Sequence, residues 1–364
     1  MLLMSKFKKI LLLSLTIIFL LELISYSVFK FNLLEISHIP KLYLDKGFIP
    51  NDEWWIEENL WGPWHKSNSS TTQQRSCYNV IYTSNEIGAR DDSFENNKDN
   101  DIILLGDSFA EGYGVNLENT SQKYIEKLTN RNVLNFGVSR NFGPVQYSVI
   151  YERLAKDFKH KTIIIYLLPD NDFGENDYSN WRGSKRHRPY YKFIDDNSYE
   201  IFIPKESIIN YKSNTKKLKK ILKDYLWTSN LFININYKYK IYRSEKKKSS
   251  DDFSAYFDSS EEQQKAVIYF LDKIINNESV NVILVSIPRP SDYNRLSDGS
   301  KLTDIYWNNY FVNKDISNNN FKFIDLINYK PDNLDEIYLK CDGHWSPKGN
   351  LWAAKIISGH LNKN

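Results

Sequence analysis

The apolar positions fall into two kinds of pattern. At the amino end, Lys6, Lys8 and Lys9 precede a mostly apolar run over 10–29, in which Glu22 is the one charged residue. A helix rises about 1.5 Å per residue, so about 20 residues just span a hydrocarbon core of about 30 Å. The run predicts a membrane anchor at 10–29 with a cytoplasmic tip at 1–9, because basic flanks stay inside. The rest of the chain is then expected outside the inner membrane. Glu22 is expected near the outer third of the span, or protonated, since a carboxylate in lipid is costly. A cleaved signal peptide is the competing reading, with Ser25 and Ser27 around bulky Tyr26 where small residues would mark the cut. No later run is long and apolar enough to span, which predicts a single-pass protein.

From residue 80 onward the pattern changes to short apolar strands alternating with helices. VIYTSNEIGARDD (80–92) reads as a strand, a turn and a polar lead-in. DIILLGDS (101–108), RNVLNFG (131–137), KTIIIYLLPDND (161–172), VNVILVSIP (280–288) and FKFIDL (321–326) read as strands. Helices are predicted over 119–130, 145–158 and 261–277, and after Pro347. Continuous apolar strands between helices predict an α/β fold whose mainly parallel sheet is covered on both faces. Reactive residues are then expected at the carboxyl ends of the strands.

Two segments stand outside that alternation. Residues 30–79 are rich in Trp, Asn, Pro and Ser and are expected to form an extracytoplasmic stalk or lead-in. Their Trp54, Trp55, Trp61 and Trp64 fit three roles: packing on the domain, a place at the membrane interface, or contact with sugar rings. Residues 174–260 read as an insertion within a domain over 80–364. Between 211 and 250, eleven lysines and Arg243 stand against Asp224 and Glu245, so the formal charge of +3 hides a segregated one. Residues 214–228 suit an amphipathic helix with Leu218, Ile221, Leu222 and Leu226 toward one side. Anionic lipid, an acidic glycan and plain solvent are the three surroundings such a helix fits. Nucleic acid is not among them, because the compartment is wrong and no reading motif accompanies the lysines.

Composition narrows the class. The chain has 364 residues, 41% of them hydrophobic and 15% aromatic, enough for a sizeable core. Two cysteines exclude a disulfide-rich scaffold and a thiolate zinc cluster. Cys77 and Cys341 are either bonded, as an oxidising compartment permits, or two structural thiols.

Four strand or loop ends carry candidate chemistry. Gly106-Asp107-Ser108 presents a hydroxyl directly after a buried strand. A serine needs a base within hydrogen-bond reach, and the base needs an orienting group. His344, one of six histidines, stands beside Asp342 and before a helix start. Asp342 or a backbone carbonyl is expected to hold its second ring nitrogen. Asn135-Phe136-Gly137 and Asn171-Asp172 follow two further strands. Asn171 suits donation to the oxygen that gains charge when serine attacks an ester, beside backbone N–H groups.

Together, GDSF (106–109), NFG (135–137), PDND (169–172) and DGHWSPKG (342–349) resemble the conserved blocks of the SGNH/GDSL hydrolase superfamily, in order and spread. The resemblance covers about 80–364, and the lead-in TSNEIGARDD is also typical of membrane-tethered members. It implies a flavodoxin-like three-layer α/β/α fold, with Ser108 as nucleophile, His344 as base and Asp342 as its orienter. Asn171 matches the oxyanion-hole asparagine, and the N–H of Ser108 its backbone partner. The Asp-x-His spacing followed by Trp departs from the usual Asp-x-x-His and resembles cell-surface glycan O-acetyltransferases and related periplasmic esterases. The second departure concerns a glycine usually found past the second strand. Arg140 occupies that position and Gly143 follows, so either the Arg140 N–H serves the hole or a shifted loop is shaped by Gly143.

The function expected is ester hydrolysis on O-acyl groups of an extracytoplasmic glycan. An O-acetyltransferase using the same site and a non-catalytic glycan-binding or assembly protein are the alternatives. The mechanism requires no cofactor and no metal. Asp170, Asp172, Glu175 and Asp177 lie near the site without ligand spacing.

Overall fold

The computed structural model describes residues 2–31, 33–34, 49, 54–75, 77–140, 142–181, 186–195, 198–204, 214–247, 254–276 and 279–362. A single apolar helix, α1 (Leu2–Lys30), opens the chain. Its stretch Lys6–Lys30 is long and apolar enough to cross a membrane.

Strand β1 (Ile102–Leu105) leads into the short helix α2 (Ser108–Glu111). Helix α3 (Ser121–Thr129) then turns into β2 (Val133–Asn135), and α4 (Pro144–Arg153) precedes β3 (Thr162–Leu167). Helix α5 (Pro169–Glu175) leaves β3 after a proline that suits a first helical position. Helices α6 (Asn214–Tyr225) and α7 (Trp227–Lys247) belong to the insertion. Helix α8 (Glu261–Ile275), β4 (Asn281–Ser286), α9 (Tyr306–Ser317), β5 (Phe321–Asp325) and α10 (Pro347–Leu361) complete the domain.

The five strands pair in the order β5-β4-β3-β1-β2, and every pairing is parallel. This is the flavodoxin-like order, in which the chain reverses direction across the sheet between β1 and β3. Ligands of such sheets sit beyond the carboxyl ends of the strands at that reversal. Alternation within each strand builds two cores. Ile103, Leu105, Ile163, Ile165 and Leu284 face Tyr147 of α4, Leu271 of α8 and Trp307 of α9. Ile102, Leu104, Ile164 and Val285 face Ile125 of α3 and Ala353, Ala354 and Ile357 of α10. The result is three layers, helix on sheet on helix. Truncating a central side chain such as Leu105 to Ala is expected to cost about 2–5 kcal/mol.

From residue 54 onward, the described part of the expected stalk or lead-in over 30–79 packs on the domain. Trp54, Trp61 and Trp64 are buried, and Trp55–Glu58 pairs antiparallel with Gly62–His65. Ser70–Arg75 pairs antiparallel with Tyr78–Thr83, so the boundary expected at residue 80 falls inside a hairpin. The Trp64 indole donates to the Ile87 carbonyl at 2.8 Å, and the His65 ring meets the Gly88 carbonyl at 2.9 Å. Burial of these large rings holds the described part of 54–79 on the domain. Residues 35–48 and 50–53 of the expected stalk lie outside the described residues. Cys77 and Cys341 form a disulfide with Cα atoms 5.8 Å apart. In the insertion, the helix expected over 214–228 divides at Leu226 into α6 and α7, and Tyr190–Asp195 pairs with Ser198–Phe202.

Candidate active site

The site lies where the sheet reverses, beyond the ends of β1 and β3. Gly106 is required at the end of β1, because a Cβ there would lie 2.8 Å from Ala110 Cβ and 2.9 Å from Tyr166 Cβ. Asp107 caps α2, its carboxylate accepting the Phe109 N–H at 2.9 Å. Ser108 is thereby the first residue of a helix, with its side chain pointing out of the turn toward the 342–344 loop. Burial raises the Asp107 carboxyl, opposed by hydrogen bonds from Phe109 and Asn171 and by the charges of His344 and Arg289.

The loop that carries the histidine is a tight turn closed by Leu339. The Gly343 N–H donates to the Leu339 carbonyl at 2.9 Å, and the Leu339 N–H to the His344 carbonyl at 2.7 Å. Gly343 adopts φ +81, a left-handed conformation that favours glycine. Ser346 then caps α10 by accepting the Gly349 N–H. His344 Nδ1 hydrogen-bonds Asp342 Oδ1, and His344 Nε2 lies 2.8 Å from Ser108 Oγ. A carboxylate only accepts, so Nδ1 carries the proton and Nε2 accepts the serine hydroxyl. The imidazole sits against Tyr113 and Phe109, with ring centroids 4.6 and 5.1 Å away.

Arg75 completes this row. Its Nη1 pairs with Asp342 Oδ2, the oxygen that His344 leaves free, and its Nη2 donates to the Tyr113 hydroxyl at 3.1 Å. The Asp342 side chain is only 3% exposed, so both of its oxygens need donors from the protein. Burial would raise the Asp342 carboxyl. The hydrogen bond from His344, with the charges of His344, Arg75 and Arg289, outweighs burial and holds it below the usual carboxylate range. Sequence reasoning missed Arg75. The available signal was the cysteine pair: Arg75 stands two residues before Cys77, and Asp342 directly follows Cys341.

The loop after β2 is held by its own hydrogen bonds. Asn135 anchors it: its amide donates to the Ala110 carbonyl and Gln122 Oε1, both at 2.8 Å, and accepts the Gly137 N–H at 2.8 Å. Gly137 packs on α2 so closely that a Cβ would sit 2.5 Å from Ala110 Cβ. Tracing the loop's amides, Phe136 donates to Leu104, Gly137 to Asn135, Val138 to Gly106 and Ser139 to Glu111. Arg140 is the first whose N–H has no acceptor among the described residues, and the Ser108 N–H shares that status.

Arg140 itself stands at φ +81, a conformation that glycine adopts without strain. Its side chain turns away, the guanidinium lying 4.4 Å from the centre of the Trp55 ring and 3.8 Å from Glu57. Gly143 is held at the start of α4. It caps α4, donates its N–H to Gln146 Oε1 at 3.1 Å, and faces Asn176, whose Oδ1 would lie 2.5 Å from an added Cβ. On α5, Asn171 Nδ2 donates to Asp107 Oδ2 at 3.2 Å. An amide nitrogen carries two N–H bonds, so one is left for a further acceptor.

Arg289, after β4, was also missed. It donates to the Gly343 carbonyl at 2.8 Å and to Asp170 Oδ2 at 3.2 Å, tying two loops at the rim. The other acidic residues near α5 are engaged within the fold. Asp172 accepts from the Leu168 N–H at 2.8 Å and the Tyr147 hydroxyl at 3.0 Å, and Glu175 pairs with Arg188 at 2.6 Å. No group of carboxylates, histidines or cysteines suited to a metal occurs among the described residues.

No family model and no curated protein matches the chain. Similar solved structures include a putative lipolytic protein of the G-D-S-L family from Desulfitobacterium hafniense DCB-2. It is 12% identical, with a TM-score of 0.36, over 71% of this chain and 98% of that one. The lipase Lip_vut3 from a goat rumen metagenome is 15% identical, with a TM-score of 0.38, over 71% and 96%. A family 3 carbohydrate esterase from Clostridium thermocellum is 10% identical, with a TM-score of 0.36, over 72% and 99%. Values this low leave the function to be read from the site itself.

Proposed function

We propose that this chain is a serine-dependent ester hydrolase that removes O-acyl groups, O-acetyl above all, from an extracytoplasmic glycan. The observation that carries the reading is the unbroken row Ser108–His344–Asp342, with Ser108 Oγ 2.8 Å from His344 Nε2. Ser108 Oγ attacks the ester carbonyl while His344 takes the hydroxyl proton. The carbonyl oxygen becomes an oxyanion held by the N–H groups of Ser108 and Arg140 and by Asn171 Nδ2. Collapse breaks the bond to the sugar oxygen, which leaves with the proton from His344. Water then attacks the acyl-serine, gives a proton to His344, and the free acid departs as Ser108 recovers its hydrogen. A sugar hydroxyl in place of water makes the same acyl-enzyme an acetyl donor.

A location outside the cytoplasm is supported by α1, whose apolar surface is largely uncovered by the rest of the chain, and by the Cys77–Cys341 disulfide. A large, tethered substrate such as a surface glycan suits an enzyme fixed to a membrane. The test supplies O-acetylated glycans to the full chain and to Ser108→Ala, and follows both acetate release and acetyl transfer to an unacetylated acceptor. Acetate release that depends on Ser108 supports hydrolysis. Transfer exceeding release assigns the transferase chemistry, and neither product in any glycan overturns the reading.

A further inference from the structure

The insertion helices meet α1 at one defined place. Glu22, the charged residue inside the apolar run, accepts the backbone N–H groups of Trp227 and Thr228 at the start of α7, the second at 3.1 Å. Ser25 Oγ lies 3.2 Å from Thr228 Oγ1, and the Trp227 ring packs edge-on against Tyr26 and Phe29 at 5.7 and 4.1 Å. The carboxylate thus satisfies the open amides of a helix start, where negative charge is favoured. This explains a carboxyl otherwise out of place in an apolar helix.

The depth of that contact can be placed. Lys30 lies eight positions after Glu22, about 12 Å along a helix. In a span with Lys30 at the polar boundary, the junction of α6 and α7 lies about 12 Å below that boundary, within the outer half of a hydrocarbon core of about 30 Å. The exposed surface of α6 suits that level. Leu218, Ile221, Leu222 and Tyr225 recur at helical spacing and are 59, 53, 39 and 46% exposed. Just beyond, Phe232, Ile233 and Ile235 of α7 are 70, 47 and 49% exposed. The sequence of α6 carries five lysines against Asp224 alone.

We propose that α6 and the first turns of α7 form an interfacial module that lies in the outer leaflet of an anionic phospholipid bilayer beside α1. The apolar stripe would run from the acyl region of the outer leaflet toward its surface, and the lysines would reach up to lipid phosphates. An acidic glycan accounts for the lysines and leaves the continuous apolar stripe uncovered, so the bilayer is the occupant favoured here. This inference rests on α1 spanning the membrane and is independent of the ester chemistry.

The test uses the full chain in phospholipid nanodiscs with an environment-sensitive NBD fluorophore at Leu222→Cys. The native cysteines are bonded and do not compete for label. Leu13→Cys on α1 and Leu128→Cys on α3, both exposed positions, are labelled in parallel. The expected result at Leu222 is a blue shift, a several-fold gain in intensity and quenching by a lipid-borne nitroxide. These effects should be stronger with phosphatidylglycerol than with phosphatidylcholine alone, while Leu128 stays water-like. Quenching at Leu13 with water-like emission at Leu222 overturns the module and leaves the anchor standing. Blue-shifted emission at Leu222 that the lipid quencher does not touch also overturns it, since protein rather than lipid then covers the stripe. No quenching at Leu13 removes the anchor on which the inference depends.

Discussion

Arg75 holds the oxygen of Asp342 that His344 leaves free. The nearly buried carboxylate therefore has a donor on each side, and the imidazole is oriented by a group that is itself fixed. Arg75 comes from a hairpin preceding the α/β domain, so the row Ser108–His344–Asp342 is supported from outside the sheet.

Replacing Arg75 by Ala is expected to leave Asp342 Oδ2 without its charged donor. A hydrogen bond to a charged group contributes about 1.5–3 kcal/mol, so kcat should fall about 10- to 100-fold. KM should change little, and Arg75→Lys should recover part of the loss. Steady-state kinetics on a chromogenic acetyl ester checks this.

The oxyanion assignment makes a separate demand on Asn171. Loss of one such donor costs about 10²–10³ in kcat where it has been measured, and Asn171→Ala should fall in that range with KM nearly unchanged. A rise in KM at constant kcat would place Asn171 in ground-state binding instead.

The pH profile follows from the lowered carboxyl of Asp342. A carboxyl whose folded-state pKa lies below its unfolded value adds stability that is present above the unfolded pKa, about 3.9 for aspartate. That stability is lost as pH falls through the lower folded value. Asp342 thus stays ionised through mildly acidic pH, so the acid limb of kcat/KM carries no second proton from the Asp342 carboxyl. A plot of log kcat/KM against pH should fall with a slope of one, and a slope of two would contradict the assignment. In Arg75→Ala, Asp342 should titrate closer to its ordinary range.

The Cys77–Cys341 bond clips the Arg75 hairpin to the residue beside Asp342. Removing a native disulfide of this kind costs about 2–5 kcal/mol. The double variant Cys77→Ser/Cys341→Ser should melt at lower temperature and lose activity by an amount similar to Arg75→Ala. Thermal melts and ester turnover with and without reductant test both parts.

Much of the site was legible because it sits where local signals are strongest. Continuous apolar strands stop at Gly106, Asn135 and Pro169, and these stops are visible without tertiary knowledge. The parallel sheet followed from strands alternating with helices. What the sequence left dark depends on distant contacts. Ser70–Arg75 reads STTQQR, a polar run whose strand character comes from pairing with Tyr78–Thr83. Which of the three roles the tryptophans of 54–64 take was open for the same reason, since their packing partners lie elsewhere in the chain. The short helix Pro290–Ser297 and the helix α9 show no apolar stripe clear enough to predict. Which loop amides find acceptors, Gln146 for the Gly143 N–H and none among the described residues for the Arg140 N–H, depends on tertiary contacts that the sequence does not display.

The central claim is that Ser108 is a nucleophile activated by His344. The most direct measurement is intact-protein and peptide mass spectrometry after exposure to a serine-directed fluorophosphonate. The account predicts a single adduct on Ser108 that is lost in Ser108→Ala and nearly lost in His344→Ala. An unlabelled Ser108 in the folded chain, or labelling undiminished in His344→Ala, would contradict it.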